Sequence, residues 1–169
     1  MNRKGFTLIE VLAVIIILSI ILVVAAPSLI NVYEDSKLKS EEIFINRLSK
    51  NIDSYIKLNS NNIVFNSDGT ASKEEEGTIY TVNISRGSIK LQDIIDEEII
   101  SEDKYINAGN KGIPCSTSAE IEVYRDSDYV YCHKVKKDSL GCLTEDYIKS
   151  ICPEENETCY VIDTCIWSR

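Results

Sequence analysis

Histidine occurs once in the sequence, at position 133, and none of the six cysteines forms a CxxC pair. Successive cysteines are separated by 17, 10, 10, 7 and 6 positions. That spacing does not suit a zinc site, so no metal and no other cofactor is assigned. GxSxG, Walker and GxGxxG motifs are absent as well. His133 follows Cys132, but neighbours on a strand point to opposite faces, so the two make no nucleophile pair and His133 is expected at the surface. The chain reads as a non-enzyme. Positive charge is also scarce: 18 Lys and Arg stand against 27 Asp and Glu, a net charge of −9. The densest basic group is Lys134, Lys136 and Lys137, which is too sparse to track a phosphate backbone, so no nucleic-acid partner is expected. No cysteine precedes position 115, and no second long apolar run exists to make a polytopic membrane protein.

One such run does exist. Residues 11–26 read VLAVIIILSIILVVAA, with Ser19 the single polar residue. As a helix, Phe6 to Ala26 would be roughly 31 Å long at 1.5 Å per residue, near the ~30 Å of a bilayer core. Arg3 and Lys4 place the short N-terminal side in the cytoplasm. The rest of the chain then lies outside, where Cys115, Cys132, Cys142, Cys152, Cys159 and Cys165 are expected as disulfides. An ordinary secretory signal fits poorly. Its only small-residue cleavage candidate, Val24-Ala25-Ala26, is followed at once by Pro27, and Glu10 puts a carboxylate inside the apolar region.

Glu10 is the residue a simple anchor leaves unexplained. The stretch Arg3-Lys4-Gly5-Phe6-Thr7-Leu8-Ile9-Glu10, followed by an apolar helix, resembles the leader and N-terminus of type IV pilins and pseudopilins. The resemblance implies cleavage after Gly5 by a prepilin peptidase, N-methylation of the new N-terminal Phe6, and a register-setting role for Glu10. It also implies a proline-induced kink, here at Pro27. Cleavage would free an α-amine on Phe6, with pKa near 8 in water. Glu10 of a neighbouring subunit can supply its counter-charge, and the need to pair both charges fixes axial register. In that family Asp126 and Asp128 would also invite a calcium reading, but no third or fourth ligand can be named and a polar turn is expected.

Beyond Pro27, apolar residues return at helical spacing: Leu38, Ile45, Leu48, Ile52, Tyr55 and Ile56. This stripe should end near Asn59–Asn62, a run of poor helix formers. Residues 66–77 read as a polar loop, Thr78–Ile84 as a strand, and Gly87 as a turn or bulge. Ile89–Ile100 has the spacing of a short helix, and Tyr105–Asn107 that of a brief extended segment. Ala119–Tyr124 and Tyr129–Val135 alternate as an antiparallel pair around a turn at 125–128. That pair brings Cys115 towards Cys132, which favours a bridge between them, with the other four cysteines pairing among themselves. Six cysteines allow fifteen pairings, so connectivity stays open at this point. Thr144–Ile151 reads as a helix, and Tyr160–Trp167 as a strand.

The expected fold is α+β and pilin-like: a long N-terminal helix, apolar in its first half, packed on an antiparallel sheet with a disulfide-rich C-terminal region. The expected divisions are a leader (1–5), a transmembrane and filament-core half-helix (6–30), an amphipathic half-helix (31–62) and an extracellular head (63–169). The resemblance implies a structural subunit of a type IV pilus, serving adhesion, motility or DNA uptake. The cysteine-heavy C-terminus favours a minor pilin over a major one. Its partners would be other pilin subunits, the prepilin peptidase and methylase, and the assembly machinery of the cytoplasmic membrane. The protein would sit in that membrane before assembly and on the cell surface in the pilus after it. Two other readings remain: a pseudopilin of a type II secretion or competence system, and a membrane-anchored extracellular binding module that never polymerises.

Overall fold

The structure, a computed structural model, describes residues 7–75, 77–100, 105–107, 112–153 and 158–168, without the side chains of 24–29, Glu75 and Ser168. The chain divides into two compact units, residues 1–37 and 38–169.

A single helix, α1 (Leu8–Asn59), begins in the first unit and ends in the second. In the first unit its described apolar side chains, Leu8 to Val23, are exposed all round the helix. In the second unit the stripe seen in the sequence is buried: Ile45, Leu48, Ile52, Tyr55 and Ile56 face the core, joined by Phe44 and flanked by Leu38. α1 stops at Asn59, and a 3-10 turn, Ser60–Asn62, follows.

The sheet under this half of α1 is formed by β1 (Asn66–Glu75), β2 (Thr78–Lys90), β5 (Glu120–Asp126), β6 (Tyr131–Lys136), β7 (Tyr160–Asp163) and β8 (Trp167–Ser168). Its order is β7-β6-β5-β2-β1-β8, with antiparallel neighbours throughout. A separate pair, β3 (Ile106–Asn107) and β4 (Ile113–Pro114), and the short helices α2 (Leu91–Asp96), α3 (Lys137–Leu140) and α4 (Glu145–Ile151) complete the unit. Alternation along the strands feeds two cores. Ile89, Ile121, Val123 and Val135 pack with α1. Val82, Ile84, Tyr124 and Cys132 pack on the other face with Ala71 and Trp167.

Several local expectations change. Residues 66–77, expected as a loop, contain β1, a polar strand held by its register with β2. β2 runs on to Lys90, through Gly87. A Cβ at Gly87 would lie 2.8 Å from both Ile63 Cγ2 and the Val64 carbonyl oxygen, so glycine lets the chain cross the strand closely there. The helix expected over 89–100 is only α2, and the last strand is split into β7 and β8.

The bridges are Cys115–Cys142, Cys132–Cys165 and Cys152–Cys159, not the expected Cys115–Cys132. Cys115 lies in the α1-facing core and Cys132 in the core on the opposite face, so the sheet stands between them. Register gives the same answer. Ile121 pairs with Val135 and Tyr124 with Cys132, so extending that ladder back to position 115 leads beside 141, next to Cys142.

Candidate functional site

The N-terminal segment carries the motif residues. Thr7 precedes the first turn of α1 and Glu10 is its third residue. The Thr7 backbone N–H and its hydroxyl both donate to Glu10 Oε2, each at 2.9 Å, and the Glu10 N–H approaches Thr7 Oγ1 at 3.4 Å. This is a capping box, with the side chains of Thr7 and Glu10 satisfying backbone donors that the helix itself cannot. The sequence pattern Thr-x-x-Glu ahead of an apolar run signals it, and Thr7 is the site residue that sequence reasoning passed over. No bond to Glu10 Oε1 is found among the described residues. Gly5 and Phe6, the expected cleavage and methylation positions, lie outside the described residues, as does the side chain of Pro27. The backbone at position 27 is helical.

From Leu8 to Val23 the helix presents thirteen large apolar side chains, each at least half exposed. Soluble helices bury such a surface, and one apolar on every side requires an apolar environment all round. Among the described residues, however, no helix is long and apolar enough to cross a membrane. The described apolar side chains span sixteen residues, roughly 24 Å at 1.5 Å per residue. The run continues in sequence to Ala26, where side chains are not described.

In the second unit three polar clusters sit where sequence reasoning placed none. Glu41 falls on the apolar stripe of α1, between Leu38 and Ile45, and is fully buried. Its carboxylate accepts from Asn107 Nδ2 (2.8 Å), from the Thr144 backbone N–H (2.9 Å) and from the Thr144 hydroxyl. Thr144 caps α4, so Glu41 fastens the disulfide-bearing segment to α1. Glu122, on the opposite face of the sheet, meets Arg86 at 2.7 Å and Lys136 at 3.1 Å and accepts from the Tyr124 hydroxyl at 2.8 Å. Burial pushes the Glu122 pKa up, but the Tyr124 hydroxyl and the two cations outweigh it and hold the carboxyl below its usual range.

His133 is the clearest departure from expectation: it is fully buried, not at the surface. Its Nε2 lies 3.1 Å from Ser49 Oγ and its Nδ1 3.1 Å from Asp53 Oδ1, both on α1. Its strand neighbour Cys132 points into the other core, as alternation requires, so that face of β6 turns His133 towards the helix. A serine, histidine and aspartate in this order resemble a hydrolase triad. Ser49 lies in mid-helix, though, where the neighbouring N–H groups are engaged in the helix ladder, so its own backbone offers no oxyanion donor. At the β5–β6 turn, Asp126 Oδ1 accepts from the N–H groups of Asp128 and Val130, as a polar turn does. No group of three or more candidate metal-ligating side chains occurs among the described residues.

Residues 1–26 match the model of the prokaryotic N-terminal methylation motif. The chain carries the signature of type IV pilins and pseudopilins. No curated protein and no solved structure matches it. The described fold agrees with the signature: a long N-terminal helix packed against an antiparallel sheet, with three disulfides towards the C-terminus. A pilin-type signature points to a structural protein processed by a prepilin peptidase and assembled with other pilins.

Proposed function

We propose that the chain is a structural subunit of a type IV pilus, in the place of a minor pilin. The observation that carries this reading is Glu10, a carboxylate one turn inside an otherwise apolar helix and four residues after Phe6 within the matched motif. On this reading residues 1–5 are a leader removed on the cytoplasmic side. Residues 6–30 hold the subunit in the cytoplasmic membrane and then form the filament core. Residues 31–62 carry the head of residues 63–169 outside the cell. Burial of apolar helix against apolar helix drives assembly. The Phe6 amine of one subunit meets Glu10 of another and sets the axial step, since either charge alone is costly away from water. The capping box supports this reading, because both Thr7 bonds fall on Oε2 and leave the second carboxylate oxygen available for a neighbour's amine.

The test compares sheared-filament protein with membrane-pool protein for the wild type, Glu10→Ala and Glu10→Gln. Membrane insertion should be intact in both variants, since removing a charge favours the hydrocarbon phase. Incorporation into filaments should fall sharply in both. Equal ratios for all three proteins would remove Glu10 as a register charge and favour a simple anchor.

A further inference from the structure

His133 is held from two sides. From α1 come Ser49 Oγ at Nε2 and Asp53 Oδ1 at Nδ1, each 3.1 Å away. From the strand side Thr164, just past β7, accepts from the His133 backbone N–H at 2.8 Å, and its own N–H donates to the His133 carbonyl at 3.1 Å. Thr164 Oγ1 also lies 3.3 Å from Nδ1. An ionised carboxylate only accepts, so Asp53 requires the proton on Nδ1; Nε2 is then an acceptor, and the Ser49 hydroxyl donates to it. Every polar atom of the neutral ring is thereby satisfied inside the core. A second proton on Nε2 would turn the Ser49 hydroxyl from donor to acceptor and would place a cation in a fully buried position beside its cross-strand partner Val123, with Asp53 as its contacting counter-charge.

We propose that Ser49, His133 and Asp53 form a proton-sensitive clasp that fastens the head half of α1 to the sheet at neutral pH and loosens in mild acid. Asp53 from α1 meets the ring, and the charge of Asp163 on β7, itself bound by Lys134 Nζ at 2.8 Å on the other face of the sheet, acts on it from a distance. On β5 the cross-strand partner of His133 is Val123, which carries no charge. Burial pushes the His133 pKa below its ordinary value, and the two aspartates pull it up without reversing that. The sign follows. Above the ordinary histidine value of about 6.5 both folded and unfolded chains are neutral here and the clasp is intact. As pH falls below it, the unfolded chain takes its proton first, so folding loses stability until the folded value is passed.

The chain's single histidine makes the test direct. Full-length protein in detergent micelles, labelled with 15N-histidine, gives one imidazole titration. The midpoint should lie below that of a histidine in an unfolded peptide, and amide protection in residues 45–56 and 131–136 should fall along the same curve. Asp53→Asn should move the midpoint lower still, because the negative charge that favours the protonated ring is gone. His133→Gln should lose less of its Tm than the wild type between about pH 7.5 and about pH 5. A ring that titrates at or above the unfolded-peptide value overturns the clasp, as does His133→Gln with the same loss of Tm as the wild type. If His133→Gln fails to fold, the wild-type titration and Asp53→Asn still decide.

Discussion

Glu41 occupies a position on the apolar α1 stripe between Leu38 and Ile45, and its carboxylate accepts from three donors of β3 and the start of α4. Glu41→Ala should therefore destabilise the head by about 3 kcal/mol, mostly by leaving the Thr144 N–H and the Asn107 amide short of an acceptor they share. Chemical denaturation of the full chain in micelles measures this. Gly87→Ala drives a methyl against Ile63 and the Val64 carbonyl and should cost about 1–3 kcal/mol in the same assay. Gly5→Val should block leader removal, because the resemblance places the scissile bond directly after a very small side chain; gel mobility and N-terminal mass read the outcome. Residues such as Glu41 and His133 were not legible in the sequence. A lone polar residue on an apolar stripe, or a histidine on a strand, has its partners a long way off in the chain: Asn107 and Thr144 for one, Ser49 and Asp53 for the other. Thr7 was legible, because its partner is three residues away.

The α1 stripe shows the opposite situation. Its period of 3.6 over many turns is strong local information, and both the buried face and the end at Asn59 follow from it. β5 and β6 alternate clearly and form as a pair, with the turn displaced towards residues 127–130. β1 gave no such signal. Only Ala71 of its described side chains is buried, so its strand form rests on hydrogen bonding to β2 and not on a hydrophobic alternation. The disulfides failed for a related reason: proximity along a hairpin says nothing about which face of the sheet each cysteine takes. With the observed pairing, loss of Cys115–Cys142 should cost about 3.5 kcal/mol and loss of Cys152–Cys159, which closes a much shorter loop, about 2.4 kcal/mol. Paired Cys→Ser variants compared in Tm should show that order, and non-reducing mass spectrometry should find all six thiols bridged.

The molecule as a whole joins two units of different character: a head with its own two-sided core, and a half-helix whose described apolar side chains are exposed. The head should lose stability in acid for two separable reasons. Glu122 has a folded pKa held below the usual carboxylate range, so its contribution is complete above about pH 4.3 and is lost as pH falls through the folded value. Glu122→Gln should flatten that lower arm of a Tm-against-pH curve while leaving the histidine arm near neutrality in place. The exposed half-helix makes the opposite demand, for apolar surroundings on every side, and on the proposed reading a filament core would supply them after leader removal. The most direct test of the filament account is therefore the N-terminal residue of the protein purified from its own cells. Intact-mass and N-terminal sequencing should find residues 1–5 removed and an N-methylated Phe6. A mature protein that still begins at Met1 would contradict the account.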